Sequence, residues 1–257
     1  MRLIRLAIIL CGVLTRLSLV AQVDPELTPK IEEPEPNREE LIKEYTRKMR
    51  AANFPALFNK AANEFKVPVS VLMGISFEQT RWEHLTWPPE DRTTPCASCQ
   101  PLRYGIMGLH DDDYLGHSLL DAAKLIGATP EDLKTNVLQN MRGGAALLRK
   151  IYKENTVPGW SKRGELESWF YAVGNFSGLP DRDIALHSAW NVYDWMEEGY
   201  HLYGIEFDAV PLPKIEALRT EARKVAVEAQ QARLKEEAKQ PPVKEPKLGP
   251  LEGVAKP

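Results

Sequence analysis

The chain has 257 residues, 43% of them hydrophobic and 27% charged, enough for one sizeable core with appendages and too little for two large domains. The formal charge is -3; without Arg2, Arg5 and Arg16 of the first segment, 30 of the 33 basic residues face 36 acidic ones, a balance of -6. An acidic balance argues against nucleic-acid binding, whose affinity comes largely from neutralising phosphates with Lys and Arg.

Met1 to Arg5 is short and basic, Leu6 to Leu14 is apolar, and Ala21 offers a small residue before Gln22. This pattern reads as a cleavable export signal over residues 1–21, and so as an exported, periplasmic or wall-associated protein. The apolar run falls short of the roughly 20 residues that span a bilayer, so no membrane span is expected after cleavage. Cys11 lacks the small residues expected before a lipidated cysteine. Residues 22–37 are rich in Pro and Glu and read as a flexible leader, because too little apolar surface is present to offset ordering entropy.

From residue 38 to 207 the patterns are helical, and no strand-like alternation is long enough to build a sheet, so the expected fold class is all-α. Ile42, Tyr45 and Met49 mark one helix; Leu57, Phe58, Ala61, Ala62 and Phe65 mark a second, with Pro55 ahead of it. Pro68 opens VSVLMGISFEQT, which is apolar almost all the way round and therefore belongs in the middle of a domain. A long loop runs from Leu85 to Tyr104. Thr129-Pro130-Glu131-Asp132 has the form of a helix start, with a capping hydroxyl, proline at the first position and acids in the first turn. Asn140 to Glu154 carries Met141, Ala145, Leu148 and Tyr152 on one face. Over residues 213–240, Ile215, Leu218, Ala222, Val225, Ala229 and Ala232 form a narrow apolar seam, suited to one amphipathic helix resting on its own domain or receiving a protein partner. Residues 241–257 are rich in Pro and Lys and read as a disordered tail.

The chemistry concentrates at the end of the apolar helix, in Glu78-Gln79-Thr80-Arg81-Trp82-Glu83-His84. A carboxyl at the end of a buried rod is partly desolvated, which favours its neutral form and suits it to donate a proton to a glycosidic oxygen. Cys96 and Cys99, in an exported chain, read as a disulfide tightening the long loop; a zinc site completed by His84 or His110, or a redox pair, are the alternatives. Asp111-Asp112-Asp113 reads as a solvated turn, the alternative being a divalent-cation site. The histidines, His84, His110, His117, His187 and His201, show no metal-ligand spacing.

Four segments in order resemble the soluble lytic transglycosylase pattern of the lysozyme-like proteins: Val67 to Ile75 leading into the polar cluster, Tyr104-Gly105-Ile106-Met107-Gly108-Leu109, Asn140 to Leu148 with Gly143 and Gly144, and Ala172 to Gly178. The Arg81-Trp82-Glu83 ending, Leu120 to Ala123 and Val192-Tyr193-Asp194 are most similar to the N-terminal region of secreted bacterial N-acetylmuramoyl-L-alanine amidases. The resemblance implies a lysozyme-like multi-helix domain that engages peptidoglycan glycan strands, with no metal or organic cofactor. It implies substrate contacts from Tyr104, Met107, Gly108, Asn175 and Phe176. Set against the family pattern, Gln79 falls where the catalytic glutamate stands and Thr80 on its usual serine. An amide cannot donate a proton as a carboxylic acid does. Glu78 lies about 100° round the helix, and Glu83, four residues beyond Gln79, shares its face if the helix continues. The resemblance thus leaves two functions as expectations. The leading one is glycan cleavage by a single acid, Glu78 ahead of Glu83, giving 1,6-anhydromuramoyl ends; the alternative, because Gln79 replaces the expected glutamate, is a non-catalytic peptidoglycan-binding or scaffold module.

Overall fold

A computed structural model describes residues 37–86, 101–237 and 239. The expected signal over 1–21, nearly all of the leader, Cys11, Cys96, Cys99 and the tail over 241–257 lie outside the described residues. The chain divides into two units, 1–41 and 42–257, and the second holds the helical core.

The fold is mostly helical. In chain order it comprises α1 (Arg38–Ala52), α2 (Phe54–Phe65), α3 (Val69–Thr80), β1 (Arg103–Tyr104), β2 (Leu109–His110), α4 (Ser118–Ile126), α5 (Pro130–Thr135), α6 (Val137–Glu154), a 3-10 turn at Leu166–Trp169, α7 (Phe170–Phe176), α8 (Arg182–Glu198), β3 (Tyr200–Leu202), β4 (Ile205–Phe207) and α9 (Ile215–Glu237). Two short antiparallel hairpins, β1–β2 and β3–β4, accompany the helices, and the expected all-α class stands. Their strands have two or three residues, too few for a period-2 pattern to emerge. β1 also occupies the end of the stretch expected to be loop.

The apolar circumference of α3 has a direct structural counterpart: every residue from Val71 to Phe77 is buried. α3 packs on α2 and α8, and α8 in turn carries α9, while α6 receives α2, α4, α5 and α7. Gly74 brings α8 close, since a Cβ there would lie 3.0 Å from Val192 Cγ1. Along α9, Leu218 is buried, and Ile215, Ala222 and Val225 pack against the same core. The start of α5 is a capping box, in which Thr129 Oγ1 accepts from the Asp132 amide and the Asp132 carboxylate accepts from the Thr129 amide.

α3 stops at Thr80 because the next two residues, Arg81 and Trp82, both take left-handed backbone conformations, with φ of 55° and 61°. Non-glycine residues adopt these only under compensation. The compensation is burial of the indole: Trp82 is fully enclosed, donates from Nε1 to the Met73 carbonyl at 3.0 Å and meets Phe77 edge-on. The chain therefore folds back beneath α3, and Tyr45 secures the reversal by donating to the Trp82 carbonyl at 3.0 Å and accepting from the His84 amide at 3.1 Å.

Candidate functional site

The C-terminal end of α3 meets the turn between β1 and β2, and this junction brings several of the sequence-selected residues together. Two hydroxyls one helical turn apart, Ser76 and Thr80, both donate to the Ile106 carbonyl at 2.8 Å. From the other side Asn140 of α6 reaches into the turn: its Oδ1 accepts from the Met107 amide at 2.8 Å and its Nδ2 donates to the Tyr104 carbonyl at 3.2 Å and the Leu133 carbonyl at 2.9 Å. Asn140 is fully buried, so these bonds meet the requirement that enclosed polar groups be paired. Gly105, at φ 67°, leaves the room this side chain fills, because a Cβ there would come within 2.1 Å of Asn140 Nδ2.

Gln79 and Gly108 are neighbours across the junction. Gly108 has φ 60°, and a Cβ on it would lie 2.8 Å from Gln79 Cβ. The side chain of α3 that borders the turn is thus an amide. Arg103 of β1 donates from Nη1 to the Gln79 carbonyl at 3.0 Å, and Arg81 donates to the Phe77 carbonyl at 2.6 Å. Guanidinium groups so placed offset the partial negative charge of a helix C-terminus.

Glu78 points elsewhere. Its carboxylate accepts from Asn191 Nδ2 and from Trp195 Nε1 of α8, each at 2.9 Å, with Arg81 Nη1 at 3.4 Å, and only 15% of the side chain is exposed. Both oxygens are engaged in joining α3 to α8. The expectation that Glu83 continues the Gln79 face is corrected by the end of α3 at Thr80: after the left-handed pair Arg81 and Trp82, Glu83 accepts from the Tyr203 hydroxyl at 2.7 Å.

The residues expected to contact substrate divide between core and surface. Tyr104 is buried, with Lys134 Nζ 4.8 Å from its ring centroid. Met107 is completely buried and is the knob that meets Gly144, where a Cβ would lie 2.7 Å from Met107 Cγ. Phe176 is buried at the end of α7. Asn175 is exposed and donates to Asn155 Oδ1 at 2.8 Å. Gly108 remains at the junction through its contact with Gln79. Cys96 and Cys99 lie outside the described residues.

Sequence reasoning passed over Tyr114, which is 62% exposed. It stands in the turn closed by reciprocal Asp112 and Gly116 backbone bonds at 3.1 and 2.9 Å, where Asp112 Oδ1 accepts from the Tyr114 and Leu115 amides at 2.8 and 2.7 Å. Of the three aspartates, Asp112 thus caps its own turn while its Oδ2 is buried without a partner, and Asp111 Oδ1 lies 2.7 Å from His117 Nδ1. The turn touches the end of α7, since a Cβ on Gly178 would lie 2.4 Å from the Leu115 carbonyl oxygen. An aromatic in so polar a turn gives no periodic signal. Beside it His110 is buried with Nδ1 unpartnered, and burial, aided by the Arg103 charge, lowers its pKa to about 4. The imidazole is neutral at physiological pH. Among the described residues no group of three or more His, Cys, Asp or Glu is arranged to hold a metal ion, and no helix is long and apolar enough to cross a membrane.

Compared with models of protein families, with curated proteins and with solved structures, the chain matches none.

Proposed function

We propose that the chain is an exported lysozyme-like module that binds peptidoglycan glycan strands without cutting them. The observation that carries this reading is the Gln79–Gly108 junction: in the arrangement that the sequence resemblance implies, the group bordering the glycan is an amide with no proton to give to a glycosidic oxygen. The neighbouring acids are engaged in structure, Glu78 with α8 and Glu83 with Tyr203. Gln79 at the junction and the exposed Asn175 suit sugar hydroxyls, and the exposed Tyr114, in the turn after β2, suits a sugar face. Cleavage through Glu78 is the competing reading, and it requires that carboxyl to leave Asn191 and Trp195.

The test is co-sedimentation of the purified protein with peptidoglycan sacculi, followed by mass spectrometry of the soluble fraction. Sedimentation without released muropeptides is expected, and Tyr114→Ala weakens it by about fivefold, corresponding to loss of roughly 1 kcal/mol of aromatic contact. Release of anhydro-muropeptides, abolished by Glu78→Gln, would overturn the proposal and make Glu78 the acid. Failure to sediment would remove peptidoglycan as the ligand.

A further inference from the structure

At the opposite end of α3, a cavity of about 530 Å³ opens between the α2–α3 connection, the end of α6 and the loop after it. Its position is well separated from Gln79, since α3 rises about 1.5 Å per residue over its length. Four cationic residues line it: Lys66, Arg149, Lys153 and Arg163. Among the described residues no acidic one does, although Glu154 comes directly after Lys153. The concentration contrasts with the acidic balance of the whole chain.

Among the described residues none of these four cations is in an ion pair, whereas Arg81, Arg142, Lys214, Arg219 and Arg233 each have a carboxylate partner. Two carboxylates after the loop that follows α6 are already committed: Glu165 accepts from Lys214, Ser161 and the Lys162 amide, and Glu167 from the Lys214 amide. Arg163 reaches the Tyr152 and Asn155 carbonyls at 3.3 and 3.4 Å, so the end of α6 takes up part of one charge. A helix terminus carries only about half a unit of charge, and the remaining cations are left without an anion.

The two arginines stand against an aromatic wall. Tyr152 and Trp169 stack at 3.7 Å with a 9° interplanar angle, and the Tyr152 hydroxyl is fixed by Ser168 Oγ at 2.8 Å and the Gly164 amide at 3.1 Å. Arg163 Cζ stands 4.9 Å from the Tyr152 centroid, and Arg149 Cζ stands 5.7 and 5.9 Å from the Tyr152 and Trp169 centroids. Stacking of this kind orients a guanidinium without consuming its N–H donors. Both rings are buried, so neither offers a face on which a nucleobase could stack.

From this geometry we infer that the cavity binds a phosphate-bearing anion of two or more negative charges and without an aromatic base. Guanidinium forks and ammonium point charges are the groups that recognise phosphoryl oxygens, and a single carboxylate has too few oxygens and too little charge to satisfy four cations. Pro68, the residue before α3, also lines the cavity and gives that helix no side-chain cap, so the positive end of the helix dipole adds to the field. The site is independent of glycan binding at the Gln79 junction.

Isothermal titration of the purified protein with inorganic diphosphate tests the inference, with citrate as the carboxylate counterpart and a glycerol-phosphate oligomer of several phosphodiesters as the polymer-type phosphate. One diphosphate per chain is expected, weakened about tenfold or more by Lys153→Glu, an exposed position whose replacement spares the aromatic wall, and unaffected by Lys224→Glu on α9. Arg149→Ala should weaken it likewise. Tighter binding of the oligomer than of diphosphate would identify a polymer phosphate as the natural source, and the reverse a free phosphorylated metabolite; both support the site. No saturable binding at millimolar diphosphate, equal loss with Lys224→Glu, or citrate bound as tightly as diphosphate would overturn it.

Discussion

Replacing Asn140 by alanine should be the most damaging single change at the junction. The side chain is fully enclosed and pairs the Met107 amide, the Tyr104 carbonyl and the Leu133 carbonyl. Met107 and Leu133 are themselves completely buried, so water cannot readily replace the lost partner. Leaving two or three enclosed groups unpaired costs about 1–3 kcal/mol each, and with the small void the loss is about 3–5 kcal/mol. That is a large share of the roughly 5–15 kcal/mol that stabilises an ordinary domain. Asn140→Asp keeps the shape and the acceptor facing the Met107 amide, but sets a second oxygen against two carbonyls, so it should be as harmful as alanine at pH 7. Urea unfolding followed by tryptophan fluorescence would measure both; at a slope of about 2 kcal/mol per molar the midpoint should fall by about 1.5–2.5 M. A shift below about 0.5 M for Asn140→Ala, with the Met107 amide still protected from hydrogen exchange, would refute the reasoning, because the turn would then be held by something other than this amide.

Gly108→Ala should cost about 1–3 kcal/mol in the same assay, combining the left-handed backbone penalty with the 2.8 Å approach to Gln79 Cβ. Gly116→Ala, at φ 88° with open space around it, should show only the backbone part. Because burial lowers the His110 pKa from 6.5 to about 4, the unfolded chain binds the extra proton between those values, so this histidine makes stability fall by about 3 kcal/mol as pH drops from about 6.5 to 4, with no further loss below. His110→Gln should flatten that part of the urea-midpoint profile against pH, and an unchanged slope would show that the drop has another origin.

What the sequence disclosed depended on how local the cause was. The central place of α3 was legible because Val71 to Phe77 has no polar face to turn outward, and the start of α5 because Thr129 and Asp132 complete each other's bonds within four residues. α8 escaped notice because α3 and α9 pack on it from different sides, which leaves no clean polar stripe in DIALHSAWNVYDWM. The stop after Thr80 carries no glycine; it is imposed by burial of Trp82, a tertiary effect. At the junction, Gln79, Gly108 and Asn140 were singled out through the family resemblance; Gln79 borders Gly108, and Asn140 holds the same turn through Tyr104 and Met107. The engagement of Glu78 was not foreseeable, since Asn191 and Trp195 lie 113 and 117 residues away in the chain. Tyr114 and the four cations of the second cavity likewise come from scattered positions without any shared period.

The contact between Gln79 and Gly108 also sets an order on sequence change. Gln79→Glu alters one terminal atom group and leaves the 2.8 Å spacing untouched, so an acid can be introduced there in a background that already folds. A side chain at position 108 cannot enter on the same terms, because it first requires the backbone of α3 or of the turn to move apart. Position 79 is therefore mutationally open while position 108 is closed, and any route that changes both must either begin with the amide or pass through a substitution elsewhere that loosens the junction.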